Sequence, residues 1–226
     1  MIIDIHAHVF PNKIAEKASQ GIEDFYNIDV PNNGTIERLL ELSDKAGVNK
    51  VVIHSPATTP HQVQSVNNFI YDCTQKYPDR VIGFMTLHPD FENINDEVER
   101  CISMGLKGVK LHPDFQRFHI DDHKAFCIYE AISGRLPLLV HTGDFRYQWS
   151  KPERMAKVMD EFPAMTVIGA HFGGWSEWDD AARVFKGKNI YVDTSSTMYS
   201  VPPEHINELI RQYGTEHVLF LSLIHI

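Results

Sequence analysis

The chain has 226 residues, of which 43% are hydrophobic and 23% are charged, and this composition is typical of a globular protein with a substantial buried core. It excludes a disordered chain, a collagen-like chain and a small disulfide scaffold. Lys and Arg number 21 against 30 Asp and Glu, so the net charge of -9 disfavours a nucleic-acid partner, whose phosphates would be repelled.

Short apolar runs rich in Val, Ile and Leu alternate with longer amphipathic stretches along the chain. The runs are apolar throughout, as expected of parallel strands that are covered on both faces. They predict strands at about 2–5, 51–53, 81–87, 108–111, 136–140, 166–170, 190–192 and 218–220. The amphipathic stretches predict helices at about 35–46, 62–76, 94–104, 122–132, 152–161, 177–184 and 203–214.

This repeated strand–helix unit predicts a single α/β domain, because no linker or low-complexity tract divides the series. An open nucleotide-binding sheet would carry a glycine-rich turn after its first strand, whereas His-Ala-His follows Ile5. We therefore predict a (β/α)₈ TIM barrel over residues 1–220, although the chain is shorter than the about 250 residues typical of that fold.

The start of the chain lacks the basic and apolar regions of a secretory signal, and no apolar run approaches the about 20 residues of a membrane span. Cys73, Cys101 and Cys127 are odd in number and widely spaced, which is typical of reduced thiols rather than of disulfides or metal ligands. We expect a cytoplasmic protein with no membrane partner. The sequence leaves assembly into a homo-oligomer open.

Histidine is abundant, with 13 residues, and six successive predicted strands end in one. These residues are His6 and His8, His54, His88, His112, His141 and His171. The carboxyl ends of the strands carry the catalytic residues of an α/β barrel, so we expect these imidazoles on one rim. A single histidine after an apolar run is more often structural, but six such strand ends favour a functional site.

His6 and His8 predict a metal site, because side chains two residues apart on a strand share a face. His141 and His171 offer further ring nitrogens, and the glycines beside them allow a ligand to approach the backbone closely. Catalytic zinc commonly takes three protein ligands and keeps one position open. We therefore expect a divalent metal and favour Zn²⁺, while Mn²⁺, Fe²⁺ and Co²⁺ suit the same imidazole donors.

Four motifs together resemble the amidohydrolase superfamily of metal-dependent TIM barrels, in the order and at the strand positions of that family. They are His-Ala-His at 6–8, Gly-Val-Lys-Leu-His-Pro at 108–113, His141, and His-Phe-Gly-Gly at 171–174. Within the superfamily, the chain is similar to the amidohydrolase-related branch that includes aminocarboxymuconate-semialdehyde decarboxylase. The resemblance implies that His6, His8 and His141 ligate the metal, and that His171 either ligates a second metal or polarises the substrate.

Two further residues of the predicted rim have several interpretations. Lys110 shares a strand face with His112. The resemblance implies that it is carboxylated and bridges two metals, or that it contacts the substrate, and the residue type also fits a lysine that anchors a buried ion pair. Asp193, at the end of the seventh strand, would hydrogen-bond a metal-ligating imidazole or bond the backbone of its own turn.

The resemblance implies an enzyme that acts on a small molecule, and two reactions fit. In the preferred one, metal-activated water attacks an ester, lactone or amide carbonyl; in the alternative, a decarboxylase, His171 helps to protonate or polarise the substrate carbon as CO₂ leaves. We place His171 and Lys110 in catalysis. Trp175 would wall the pocket or pack against the next helix, and it joins the predicted substrate-binding residues, which are His112, His54, Asp144 and Trp175.

The end of the chain departs from the family's pattern, in which Gly-(Ser/Thr)-Asp-x-Pro follows the eighth strand. Residues 221–226 read Leu-Ser-Leu-Ile-His-Ile, and the metal-binding Asp of that motif is missing from them. We expect these residues to be a non-native tail, with the eighth strand incomplete and the eighth helix missing. The missing Asp also supports a third interpretation, a catalytically inactive barrel that binds a metal or a ligand.

Overall fold

The computed structural model of the chain describes residues 1–198 and 200–221. Over these ranges the strands are β1 (Ile3–His8), β2 (Lys50–His54), β3 (Val81–Gly83), β4 (Met85–Thr86), β5 (Val109–Leu111), β6 (Leu138–Val140), β7 (Val167–Gly169), β8 (Ile190–Asp193) and β9 (Val218–Leu219). The helices are α1 (Ala15–Tyr26), α2 (Ile36–Lys45), α3 (Val63–Lys76), α4 (Ile94–Ser103), α5 (Pro113–Gln116), α6 (His123–Ile132), α7 (Pro152–Glu161), α8 (Trp178–Val184) and α9 (Pro203–Tyr213).

The strands form the predicted (β/α)₈ barrel. All pairs are parallel, in the order β1-β2-β3 and then β4 to β9 in sequence. β3 and β4 are two halves of one barrel strand, divided at Phe84, whose N–H donates to the Ile53 carbonyl at 2.9 Å. On the other side, the Ile5 N–H donates to the Phe220 carbonyl at 3.4 Å, so β1 also contacts the residue that follows β9.

The apolar side chains pack in two layers. Between the strands and the helices lies the larger cluster, which includes Val51 and Val109 from the strands and Leu39 and Ile128 from the helices. Inside the barrel lies a smaller cluster made by Val52, Phe84, Leu139, Ile168 and Ala170. Because strand side chains alternate between the two faces, Lys110 and Asp193 lie on the interior face with this smaller cluster.

Helix α1 is a feature that the sequence analysis did not predict. The residue before it, Ile14, has no side chain that can cap the helix by a hydrogen bond. Gly21, a poor helix former, lies in the middle of the helix. By contrast, the predicted helix α2 begins with a capping bond, because the Thr35 side chain accepts from the Arg38 N–H. The signal that marks the start of α1 is therefore weak, although the element is 12 residues long.

The eighth barrel strand, β9, is only two residues long. Leu221 is the last described residue, and its N–H and carbonyl both bond the Thr194 hydroxyl at 3.1 Å. The predicted non-native tail falls on residues 221–226, of which 222–226 lie outside the described residues; the predicted absence of an eighth helix lies outside them too. Within the described ranges, no helix combines the length and the apolar character needed to cross a bilayer.

Candidate active site and metal centre

The predicted pair His6 and His8 points into the barrel because β1 changes its register. Ile3 and Ile5 pack with the interior cluster, yet the even-numbered His6 and His8 also reach the interior. The register between β1 and β2 shifts between Asp4 and Ala7, and an extra residue in a strand reverses the faces of the residues that follow it. The two Nε2 atoms then lie 3.3 Å apart.

His54, at the end of β2, completes a buried group of three imidazoles. Its ring centroid lies 4.8 Å from that of His6 and 4.6 Å from that of His8. One ring nitrogen from each of the three lies within 4.8 Å of the other two, so the group can hold a metal ion. Sequence analysis placed His54 with the substrate-binding residues, whereas here its ring packs against both predicted ligands.

Asp193 fixes the orientation of His6. Its Oδ2 lies 2.8 Å from His6 Nδ1, and both side chains are buried. Because a carboxylate accepts, the hydrogen of a neutral His6 ring sits on Nδ1 and Nε2 carries the lone pair. Lys110 Nζ lies 3.0 Å from that Nε2. The predicted contact between Asp193 and a candidate ligand is therefore confirmed.

The same carboxylate holds the backbone that carries His171. Asp193 Oδ1 accepts from the backbone N–H of His171 at 3.0 Å and of Ser195 at 2.9 Å, and also from the Ser195 hydroxyl. His171 and Phe172 have φ of 58° and 53°, a left-handed conformation that costs about 1–2 kcal/mol per residue. Asp193 thus bonds the backbone of its own turn, as predicted, and also stabilises the strained turn at His171.

The ring of His171 is oriented by its own hydrogen bonds. Its Nδ1 lies 3.1 Å from the Ser195 carbonyl, to which only an N–H can donate, so Nε2 carries the lone pair. That Nε2 lies 3.1 Å from His141 Nδ1. The ring of His171 also lies 5.6 Å from that of His6, between centroids. His6, His8, His171 and His141 therefore form one continuous cluster.

His141 stands between this cluster and a second group of possible ligands. Its ring stacks on that of His112 at 4.1 Å, and its Nε2 lies 3.4 Å from Asp114 Oδ2 without hydrogen-bond geometry. His112, Asp114 and His141 each offer an atom within 4.8 Å of the others. Among the described residues, Asp114 Oδ1 and His141 Nε2 have no hydrogen-bond partner. Sequence analysis did not select Asp114.

Burial disfavours the charged forms of four groups of the site, which are His112, His141, His171 and Lys110. It lowers the pKa of the His171 ring to about 4 and holds the pKa values of His112 and His141 well below their usual value. It also lowers the pKa of the Lys110 amine to about 7, although the Asp193 carboxylate acts in the opposite direction. In the described ranges no carboxylate lies within 4.0 Å of Lys110 Nζ, so the predicted buried ion pair does not form there.

Two cavities meet in front of the histidines. The small one has a volume of about 40 Å³, and its wall includes His6, His8, His112, His141, His171 and Trp175. The large one has a volume of about 530 Å³ and lies under α1. His8, Ile22 and Phe115 line both, so the two spaces are adjacent.

The sequence profile of the family described as Amidohydrolase matches residues 3–222. The chain belongs to the amidohydrolase family. The family resemblance drawn from the histidine motifs is therefore confirmed. A comparison of this amidohydrolase with curated proteins gives no match.

Several solved structures resemble this amidohydrolase in fold. An uncharacterised TIM-barrel protein from Bordetella bronchiseptica is 17% identical, with a TM-score of 0.76, over 98% of this chain and 85% of that one. A 5-carboxyvanillate decarboxylase from Novosphingobium aromaticivorans, complexed with manganese and a nitrobenzoic acid, is 18% identical, with a TM-score of 0.73, over 100% and 87%. A dihydroxybenzoic acid decarboxylase from Polaromonas, with manganese and 2-nitroresorcinol, is 17% identical, with a TM-score of 0.70, over 100% and 87%.

The remaining predicted residues of the amidohydrolase fall in different places. Trp175 lines the small cavity, with its ring 5.4 Å from that of His171. Asp144 lines neither cavity, and its carboxylate accepts from the Arg146 guanidinium at 2.7 Å. His88 accepts from the Asp90 N–H at 3.2 Å, and the structure places it outside the two groups of candidate metal ligands.

Sequence analysis missed Tyr26, the last residue of α1, whose hydroxyl lies 2.9 Å from His112 Nε2. The sequence does contain a signal for the helix that carries this residue. Ile14, Ala18, Ile22 and Phe25 follow a helical spacing, and all four line the large cavity. Their apolar side chains face a cavity beside the site. Because Tyr26 follows Ile22 by four residues, the same helical spacing indicates that Tyr26 also faces the site.

The donor set fits a divalent metal. His6 Nε2 and His171 Nε2 present lone pairs because their Nδ1 atoms donate to oxygen acceptors, and buried neutral imidazoles are the form that binds metal. His141 Nε2 is buried without a partner among the described residues. A cluster of nitrogen donors with a carboxylate-oriented ring is typical of zinc and related transition metals rather than of calcium or magnesium.

Proposed function

We propose that this amidohydrolase is a divalent-metal-dependent decarboxylase of a small aromatic carboxylic acid. In the reaction the bond between the ring carbon and the carboxylate breaks, CO₂ leaves, and the ring carbon takes a proton. The observation that carries the proposal is the apolar cavity of about 530 Å³ that adjoins the histidine cluster.

The walls of this cavity suit an aromatic ring. Phe10, Phe25, Phe69 and Phe115 line it, and aromatic side chains pack well against a flat ring. Its volume is in the range of about 300–1,000 Å³ that is usual for small-molecule sites. Arg117 adds a positive charge to the wall, which suits an acidic substrate. Two of the similar solved structures are decarboxylases of aromatic acids, and this supports the same substrate class here.

We assign the metal to His6 and His8, whose ring nitrogens lie with that of His54 within 4.8 Å of one another, and the family resemblance adds His141; Asp193 orients His6. When bound, a divalent cation would act as a Lewis acid on an oxygen of the substrate. The neutral imidazoles leave the positive charge of the cation uncompensated, which favours an anionic substrate. His54, packed against His6 and His8, limits the movement of these two rings.

In this proposal His171, His112 and Trp175 contact the substrate, whereas Lys110 and Asp144 act through neighbouring side chains. His171 lines the small cavity, and its Nε2 takes up a proton from water and passes it to the ring carbon, while the Ser195 carbonyl accepts from the Nδ1 of the same ring. Lys110 Nζ lies 3.0 Å from His6 Nε2, and with a metal on that nitrogen the amine would donate its hydrogen bond to another acceptor of the site. His112 and Trp175 wall the small cavity. Asp144 acts indirectly, through Arg146.

Hydrolysis of an ester, lactone or amide is the second candidate. The observation that favours it is Lys110, whose side chain is fully buried and ends 3.0 Å from a candidate metal ligand. In some branches of the superfamily a lysine at this strand position is carboxylated and bridges two metals. A second cation at Lys110, His141 and His171 would suit attack of water on a carbonyl.

The test is an assay of the full chain loaded with Mn²⁺ or Zn²⁺, against hydroxybenzoic acids in one panel and lactones, esters and amides in another. Release of CO₂ and release of acid are followed together, with metal-stripped protein as the control. We expect metal-dependent CO₂ release from an aromatic acid. Acid release alone would favour hydrolysis instead, and a metal-loaded protein that turns over neither panel would support the inactive-barrel interpretation.

Two variants connect the activity to the site. His171→Asn is expected to lower the rate of CO₂ release by about 100-fold or more, since positioned proton transfer contributes about that much. His88→Asn is the matched control, because His88 lies on the same rim and an Asn oxygen can still accept from the Asp90 N–H. Equal rates for His171→Asn and the unmodified chain would contradict the assigned role.

A further inference from the structure

Tyr26 is the residue of α1 that reaches the histidine cluster. It ends the helix, and it lines the small cavity together with His6, His141 and His171. Its ring centroid lies 6.1 Å from that of His141 and 5.4 Å from that of Trp175. A group bound in front of the histidines would therefore lie beside the Tyr26 hydroxyl.

The hydrogen bonds of His112 decide which way that hydroxyl donates. His112 Nδ1 accepts from the Phe115 N–H at 3.4 Å, where its ring caps the short helix α5. The ring hydrogen of neutral His112 is then on Nε2, which donates to the Tyr26 oxygen at 2.9 Å. The hydrogen of the Tyr26 hydroxyl is left for another acceptor, and among the described residues Tyr26 makes no second side-chain hydrogen bond.

The position of Tyr26 is held from outside the cavity. Arg146 Nη1 donates to the carbonyl of the preceding residue, Phe25, at 2.7 Å. The same guanidinium lies 5.5 Å from the Tyr26 ring centroid and is itself anchored by the buried carboxylate of Asp144. These contacts tie the end of α1 to the loop after β6, which also carries His141.

The hydroxyl stays protonated at neutral pH. Burial raises the pKa of Tyr26 well above its usual value, and the carboxylates of Asp114 and Asp144 raise it further. A protonated phenol that already accepts one hydrogen bond is a good donor to an anion, because the two bonds polarise each other.

We propose that Tyr26 is a substrate-contacting residue, whose hydroxyl donates a hydrogen bond to an anionic oxygen of the aromatic acid bound in front of the histidines. The assignment rests on the proposed function, because it names the class of group that the substrate presents. The oxygen is a carboxylate or a phenolate oxygen, which accept the same hydrogen bond. The side chain contributes to binding and to the placement of the substrate carbon next to His171.

The experiment measures binding of 4-hydroxy-3-nitrobenzoic acid to the Mn²⁺-loaded full chain, by absorbance of its nitrophenolate band. Three proteins are compared: the unmodified chain, Tyr26→Phe, and Tyr147→Phe as the matched control. Tyr147 stacks on Phe25 at 5.4 Å but lines neither cavity, so its variant removes a hydroxyl from the same face of the barrel without touching the site.

We expect the unmodified chain and Tyr147→Phe to bind with the same affinity. Tyr26→Phe is expected to bind about 10- to 100-fold more weakly, the usual effect of losing one hydrogen bond to a charged group. Where the phenolate is the acceptor, its absorbance band in Tyr26→Phe also moves towards that of the free ligand. With a substrate, KM rises by a similar factor.

Equal affinity and equal KM in Tyr26→Phe and the unmodified chain would overturn the assignment of Tyr26 and leave the proposed function intact. No binding by the unmodified chain, together with no CO₂ release from any aromatic acid, would contradict the proposed function and this inference with it. Circular dichroism and urea unfolding of each variant identify a loss of folding. If Tyr26→Phe does not fold, Arg146→Lys, which loosens the end of α1 without removing the hydroxyl, must weaken binding for the assignment to stand.

Discussion

Asp193 is the residue on which most of the site's geometry depends. One carboxylate oxygen orients the His6 ring, and the other holds the turn that carries His171 and Ser195. The carboxylate is fully buried, so these bonds form in a medium of low polarity, where each one is stronger than at the surface. A single side chain thus sets both the direction of a candidate ligand and a strained backbone.

Asp193→Asn tests this role. An amide cannot accept on both of its ends, so either the His6 bond or the bonds to the His171 and Ser195 N–H groups are lost. We expect the affinity for Mn²⁺ or Zn²⁺ to fall by about 10- to 100-fold, as for other groups that orient metal ligands. Competition with a fluorescent chelator measures it.

Asp179→Asn is the control for this substitution. Asp179 Oδ1 lies 2.7 Å from His205 Nε2, but this His–Asp pair is at the surface. We expect Asp179→Asn to keep the affinity of the unmodified chain. Equal affinities in all three proteins would show that Asp193 does not orient a metal ligand.

The loops after β6 and β7 pack against each other so closely that glycine is required. Gly143 has φ of 71°, and a Cβ there would lie 2.6 Å from the Cα of Gly174. The Thr142 hydroxyl also donates to the Gly173 carbonyl at 2.6 Å. Since His141 and His171 begin these loops, the close contact sets the distance between the two imidazoles.

Gly143→Ala is expected to destabilise the fold and to disturb the site together. Gly47→Ala is the matched control, because Gly47 also has φ of 71° but has open space around its Cβ position. The control loses about 1–2 kcal/mol, the cost of a left-handed alanine, whereas Gly143→Ala loses more because two backbones collide. Urea unfolding measures the difference, and equal losses would show that the loops separate freely.

Helix α1 is the long helix that prediction from the sequence missed. The helices of the regular repeat bury an apolar stripe against the strands, and their caps mark their ends. The apolar side chains of α1, such as Ile22 and Phe25, instead line a cavity, and Gly21 lowers its helix propensity. The helical spacing of these apolar residues is therefore the signal for α1 in the sequence, since its first turn has no side-chain cap.

The barrel and its histidine rim were predictable because parallel strands that are covered on both faces appear in the sequence as uninterrupted apolar runs. The details that bring the side chains of the site together were not predictable from the sequence. The register shift between Asp4 and Ala7 decides which way His6 and His8 point, and no residue type marks it in the sequence. Likewise, Asp114 joins His112 and His141 only because α5 begins directly after β5.

The three cysteines differ in burial, so their reactivity tests how the molecule is packed. Cys73 and Cys101 are buried, and burial raises the pKa of each thiol to about 12, whereas Cys127 is exposed. Because the thiolate is the reactive form, iodoacetamide is expected to label only Cys127 in the folded chain and all three thiols in urea. Mass spectrometry counts the labels, and rapid labelling of Cys73 or Cys101 in the folded chain would contradict this packing.

Whether the buried histidines hold a divalent metal is decided by the metal content of the full chain. The protein is equilibrated with Mn²⁺ or Zn²⁺, freed of unbound metal and measured by elemental analysis, beside His8→Asn and His88→Asn. We expect the unmodified chain and His88→Asn to retain stoichiometric metal and His8→Asn, folded by circular dichroism, to lose most of it. Metal absent from the unmodified chain, or retained in full by His8→Asn, would contradict the account.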